Sequence, residues 1–231
     1  MTVDIGIIGA MDPEVDGLIA LLENHAEEHV GSLTFHVGEL LGKRVAIARC
    51  GIGKVFAAMC CEAMILKYSP RLIVNTGVGG ALNHKLVPTD IVIGKRTFQH
   101  DMDTSPFGDP KGLISGINKI YLDCDKRAAD ILISSASAMS LTAIHGDIAT
   151  GDQVIASSEA RSAITSVFGG DACEMEGCAI AQVAYANDIP FIIVRAISDS
   201  ADGDASLDYP KFLKIAAENS LKLTLELIKE Y

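Results

Sequence analysis

Short apolar runs alternate with longer amphipathic stretches along this chain, and that alternation predicts an α/β fold around a largely buried sheet. Ile5 to Ile8 reads as a first strand ending at Gly9 and Ala10. Asp12-Pro13-Glu14 then predicts a helix start, with Asp12 as N-cap and Pro13 at the first helical position. Leu33 to Val37 and Arg44 to Ala48 read as a strand pair joined by a turn at Gly42. After Gly51-Ile52-Gly53 the spacing predicts a helix from Lys54 to Tyr68, closed by Pro70. Arg71 to Asn75 is the next strand, feeding a glycine-rich turn at Gly77, Gly79 and Gly80. Asp90 to Ile93 and Thr142 to Ile148 are further strands, with a helix at Ala128 to Ala138 between them. Met175 to Ala186 reads as a helix, Phe191 to Ile197 as a buried strand, and Lys211 to Glu230 as a long terminal helix. Neither an internal repeat nor a linker composition divides the 231 residues, so one domain spanning 1–231 is expected.

Polar and glycine residues collect at the carboxyl ends of these strands: Gly9, Asn75, Gly151, Glu174 and Ser198. In open α/β sheets ligands bind at that edge. Glu174-Met175-Glu176 and Arg195-Ala196-Ile197-Ser198-Asp199 place three carboxylates and an arginine there, beside apolar runs. Buried carboxylates are costly without a hydrogen-bonding partner, so with Glu14 they predict one polar small-molecule pocket. Taken singly, each acid has a structural explanation, Glu14 as a first-turn charge and Asp199 as a helix cap. Jointly they point to chemistry.

Charge and cysteine usage narrow the classes. A formal net charge of −11, from 19 basic and 30 acidic residues, argues against nucleic acid and anionic membrane surfaces. Cys50, Cys60, Cys61, Cys124, Cys173 and Cys178 form no C-x2-C pair, which fits reduced, buried thiols in the cytoplasm. No basic leader precedes Asp4, and no apolar run reaches roughly 18 residues, so neither a signal peptide nor a membrane span is expected.

Several motifs fail on inspection. Gly51-x-Gly53-Lys54 lacks the spacing and the following Ser or Thr of a phosphate loop, and no G-x-G-x-x-G is present, so no nucleotide cofactor is expected. Setting Gly203 at the sixth position of a calcium loop puts Ser198 first and Tyr209 twelfth, where acids are required. No G-x-S-x-G elbow and no H-E-x-x-H motif exist, which argues against a serine hydrolase and a zinc-dependent catalytic site. His100-Asp101-Met102-Asp103 reads as a polar loop after a strand in preference to a catalytic cluster.

The chain resembles the bacterial 5′-methylthioadenosine/S-adenosylhomocysteine nucleosidases of the nucleoside phosphorylase family. The resemblance runs nearly end to end, through Ile5-Gly6-Ile7-Ile8-Gly9-Ala10-Met11 with Glu14, Gly51-Ile52-Gly53-Lys54-Val55, Asn75-Thr76-Gly77, His100-Asp101 with Phe107-Gly108, Gly151-Asp152, Glu174-Met175-Glu176 and Arg195 to Asp199. It implies a three-layer α/β/α sandwich around a mixed, partly barrel-like sheet, and a homodimer. It further implies that Asp199 protonates N7 of adenine, that Glu14 activates water, and that Arg195 helps to order that water. Glu176 and Met175 would hold the ribose, with Glu174 and Ser198 beside them, and Ile155 would read adenine through its backbone. Ile52, Tyr209 and Phe107 would line the pocket for the 5′ substituent, Phe107 reaching in from the neighbouring subunit. No cofactor and no metal are implied.

The residue types suit N-glycosidic hydrolysis, in which positive charge builds at C1′ while the purine gains electrons; an acid at N7 is worth roughly 10²–10⁴-fold. A purine nucleoside phosphorylase is the nearest rival, but Glu14 at the C1′ face would repel phosphate. Val78, where the nucleosidases often carry Ser, also removes a hydroxyl from that face. A nucleosidase that also takes 5′-deoxyadenosine, one for futalosine-type substrates, and a non-catalytic nucleoside-binding protein would use the same framework. Two departures bear on specificity: Val154 replaces an aromatic residue against the purine, and Asp109 to Asp125 does not follow the family pattern.

Overall fold

Strand β1 (Ile5–Gly9) is buried at all five residues. It pairs in parallel with β4 (Lys43–Arg49) on one side and β5 (Leu72–Ala81) on the other. Such a strand, covered on both faces, carries a continuous apolar run. The computed structural model describes residues 2–201 and 205–231, with side chains described for 2–201 and 209–231. Residues 202–204 of the acidic run weighed as a calcium loop lie outside the described residues.

The sheet continues past β4 to β3 (Leu33–Leu40) and β2 (Glu23–Val30), both antiparallel. On the other side, β5 closes into a five-strand ring with β10 (Phe191–Asp199), β6 (Ile91–Gln99), β8 (Ala143–Thr150) and β9 (Ala172–Glu174). A short β7 (Leu122–Asp123) adds to β6. The expected mixed, partly closed sheet is what forms.

Helices cover both faces. α1 (Asp12–Ile19), α3 (Lys126–Ala138) and α6 (Ala205–Glu230) pack on one side; α2 (Lys54–Tyr68) and α5 (Gly177–Ala186) pack on the other. The period-2 alternation of the strands divides the core accordingly. Ile7, Leu72 and Val74 join Val15, Leu132 and Leu227 in one apolar cluster, while Ile8 and Ile73 join Ala57, Met64 and Ile180 in the other. α4 (Ser158–Phe168) flanks the ring and buries Ile164 against a third, smaller cluster.

The structure departs from the sequence reading in several places. Gly77, Gly79 and Gly80 form no turn; they lie inside β5, every residue of which is buried. The N-cap of α1 is Met11, so Asp12 and Pro13 are its first two residues. Met175 precedes α5, whose N-cap is Glu176, and Ser198 and Asp199 complete β10. β2 and α4 escaped the sequence reading because both are solvent-facing: β2 buries none of its eight residues, and α4 buries only Ile164.

Candidate active site

Glu14 occupies the third position of α1, where a side chain reaches back to the orphan amides of the helix start. Its Oε2 accepts from the backbone N–H groups of Ala10 (2.7 Å) and Met11 (3.0 Å). Its Oε1 accepts from Val78 N–H (3.0 Å), 64 residues further along. The close approach of α1 to β5 requires a bare backbone: a Cβ at Gly77 would lie 2.5 Å from Glu14 Oε1. Burial raises the Glu14 pKa above its ordinary value, against the opposing pull of Arg195 and the three amides.

Arg195, in the middle of β10, is 1% exposed. Its Nη2 donates to Glu174 Oε2 at 2.5 Å and to Asn75 Oδ1, and lies 3.9 Å from Glu176 Oε2. Nη1 donates to the backbone carbonyls of Val194 (3.0 Å) and Asn75 (3.3 Å). Glu174 is further satisfied by the Thr150 hydroxyl and by the N–H groups of Glu176 (3.0 Å) and Gly177 (2.6 Å). Two glutamates two residues apart therefore differ in role. Glu174 is saturated by the framework, whereas Glu176 faces the cavity and accepts from Gly53 N–H at 2.9 Å. Burial, and next the neighbouring Glu174 charge, push Glu176 up to about 7.

Asp199 ends β10, just past an irregularity in the register with β5. Its Oδ2 accepts from Ser198 Oγ (2.8 Å) and its Oδ1 from Ala201 N–H (2.9 Å). Gly80 clears the space it occupies, since a Cβ there would approach Asp199 Oδ1 to 2.9 Å.

These elements enclose a cavity of about 220 Å³. Of the residues singled out in the sequence, Glu14, Ile52, Val78, Val154, Ile155, Glu174, Met175, Glu176, Ser198, Asp199 and Tyr209 line it. Arg195 does not: it stands behind the wall and acts on the cavity through Glu174 and Glu176. Phe107 does not line it either, and is 90% exposed in a short 3-10 turn, Ser105–Phe107. Ala10, Met11, Gly79, Gly80, Gln153 and Cys173 also contribute to the wall. Gly79 and Gly80 carried a usable signal, misassigned to a turn; Cys173 and Gln153 carried none. The Tyr209 hydroxyl lies 3.2 Å from Met11 Sδ, and burial followed by the charges of Glu14, Asp199 and Glu176 raises its pKa.

A second polar network fixes the mouth. Lys54 Nζ donates to Asp101 Oδ1 (2.7 Å) and Gln99 Oε1 (3.1 Å), while Asp101 Oδ2 accepts from Asp152 N–H (3.0 Å) and Asp152 Oδ1 from Lys54 N–H (2.8 Å). This clamp sets the loop whose Gly53 amide meets Glu176. Burial works against the Asp101 charge, but Lys54 and the Asp152 amide outweigh it and lower the pKa. His100 packs against the bare Gly151 backbone, burial lowers its pKa, and neither His100 nor Asp101 lines the cavity.

Among the described residues, the cavity wall includes no Lys, Arg or His. Four carboxylates in a largely apolar surround suit a polar ligand better than an anionic one.

A family model described as the phosphorylase superfamily matches residues 4–229. A 5′-methylthioadenosine/S-adenosylhomocysteine nucleosidase of Haemophilus influenzae is 40% identical over 225 residues, 97% of this chain and 98% of that protein. The crystal structure of the Neisseria meningitidis nucleosidase of the same name, in complex with methylthio-immucillin-A, superposes with a TM-score of 0.96 at 35% identity, covering 99% of each chain. A futalosine hydrolase of Helicobacter pylori superposes with a TM-score of 0.94 at 30% identity, over 99% of this chain and 98% of that one.

Proposed function

This chain belongs to the phosphorylase superfamily, in its 5′-methylthioadenosine/S-adenosylhomocysteine nucleosidase branch, and from that premise we propose how its cavity works. It is a hydrolase of N-glycosyl compounds that releases adenine and a 5′-substituted ribose from methylthioadenosine and S-adenosylhomocysteine.

In this reading Asp199 donates a proton to N7 of adenine. The C1′–N9 bond then breaks with its electron pair passing to the base, and adenine leaves neutral. Water attacks the ribosyl cation at C1′ and surrenders its proton to Glu14. A carboxylate offers about four lone-pair sites; three of those on Glu14 are taken by amides, which leaves one for the water. Its raised pKa brings this base closer to the neutral range, where general-base catalysis is efficient. Glu176 accepts from the ribose hydroxyls, Met175 packs on the sugar, and Ile155 meets the adenine edge with its backbone. Val154, aliphatic where the family stacks an aromatic ring, covers the base. Arg195 is a positioning residue: it holds the two glutamates and orders the water only through them.

The observation that carries water in preference to phosphate is the charge of the wall. Glu14 lines it on the side assigned to C1′, and no Lys, Arg or His among the described residues joins the lining, so a phosphate dianion at C1′ would meet like charge and no cationic donor.

We further place the protein in the cytoplasm as a homodimer. Six free cysteines favour a reducing compartment, and no helix among the described residues is long and apolar enough to cross a membrane. Ile52, Val55, Phe56, Met59, Phe107 and Val154 are large apolar side chains at least 49% exposed, and Ile52 and Val154 also line the cavity. A second copy seated on them would bury an apolar patch of the kind soluble monomers seldom expose and bring its Phe107 to the 5′ end of the cavity.

Product chromatography from 5′-methylthioadenosine tests the reaction. Adenine and free methylthioribose in phosphate-free buffer are the expected products. Adenine that forms only with phosphate, alongside the sugar 1-phosphate, would overturn the role of Glu14.

A further inference from the structure

The edge strand β2 carries an unused constellation. Successive side chains of a strand alternate between faces, which sets His25, Glu27 and His29 on one face of β2. Glu27 pairs across the ladder with His36 of β3, and His29 with Thr34. A register irregularity between Glu23 and Ala26, with Asn24 at φ 52°, precedes these pairs. His25 Nε2 and His36 Nδ1 lie 2.9 Å apart, His36 Nδ1 and Glu27 Oε1 3.8 Å apart, and all three donor atoms fall within 4.8 Å of one another.

We propose that His25, Glu27 and His36 form a binding site for a single divalent transition-metal ion of the zinc, nickel or copper kind. Two imidazole nitrogens and one carboxylate oxygen are the donor set these ions favour, whereas calcium and magnesium require oxygen ligands throughout. On a tetrahedral zinc with bonds of about 2.0–2.1 Å, two nitrogens stand about 3.3 Å apart. The two rings therefore need to open by only a few tenths of an ångström, within reach of small side-chain rotations. His25 and Glu27 are exposed, so the remaining coordination positions open to water. The ligands come from both strands, and a bound ion would staple β2, whose eight residues are all outside the core, onto the body of the sheet. None of the three lines the catalytic cavity, so the site is a structural one.

The test is calorimetric titration of zinc chloride into the untagged, chelator-treated full chain at about pH 7.5, where imidazole is deprotonated. One equivalent bound with a micromolar dissociation constant and a rise in Tm is expected. Cobalt(II) should give the visible absorption of a nitrogen- and oxygen-ligated ion. His25→Ala, at an exposed position, and His36→Ala should each weaken binding at least tenfold and abolish the Tm rise, with adenine release unchanged. Binding that stays equally tight in both variants would assign the ion to cysteines or cavity carboxylates and overturn the site, as would a dissociation constant in the millimolar range.

Discussion

Arg195 reaches Glu174 at 2.5 Å from a position 1% exposed, and the pair holds the wall of the cavity without the cation entering it. Arg195 is thereby absent from the cavity wall and acts on it through Glu174 and Glu176. Arg195→Met should leave the Glu174 carboxylate buried without its cationic partner. Removing one partner of a buried ion pair costs about 3–5 kcal/mol, and a urea-unfolding midpoint should fall accordingly. Turnover should fall with it, because Glu176 loses its 3.9 Å neighbour.

Asp199→Asn keeps an acceptor for Ala201 N–H but cannot supply a proton to the purine. Adenine release should drop by roughly 10²–10⁴-fold while Tm stays within a few degrees of the parent. Unimpaired turnover in this variant would remove Asp199 from the mechanism.

Gly77→Ala tests how Glu14 is positioned. The new Cβ would sit 2.5 Å from Glu14 Oε1, so the carboxylate must shift. Misplacement of a catalytic group by about 1 Å costs roughly 10²-fold. The loss should appear in kcat with KM little changed, since the proposed adenine and ribose contacts lie elsewhere.

The Glu176 pKa is raised in the folded state, from an ordinary 4.5 to about 7. Between those values the native protein binds more protons than the unfolded chain, so this group's contribution makes stability fall as pH rises through the window. The total is on the order of 3 kcal/mol. Unfolding midpoints from about pH 5 to about pH 8 should show that slope, and Glu176→Gln should flatten it. Glu14, shifted in the same direction by burial, contributes with the same sign.

The association proposed through the exposed apolar surface predicts a dimer by sedimentation. Met59→Glu, on the exposed face of α2, should yield a monomer. Phe107→Ala should leave the dimer intact and raise KM for substrates with an apolar 5′ group, with much less effect on adenosine. Equal KM values in parent and variant would detach Phe107 from the site.

The apolar periodicity of the chain was enough to determine the layered core. Ile5 to Ile8, Phe191 to Ile197 and the helix from Lys54 are local patterns, and burial on both faces leaves a strand little choice but a continuous apolar run. The acids at strand ends were equally legible, because a carboxylate beside an apolar run is anomalous in any fold. Tertiary structure alone decided how those acids are used. Gly77, Gly79 and Gly80 follow turn composition, yet they continue β5 because Glu14, Asp199 and the Cys173 carbonyl occupy the space their Cβ atoms would need. Glu174 and Glu176 are indistinguishable by type and spacing, and only the Arg195 guanidinium and the Gly53 amide, brought from distant positions, make one a framework group and the other a ligand-facing one. Local sequence encodes period and propensity over a few residues. Which distant donor meets which carboxylate is set when the ring of strands closes.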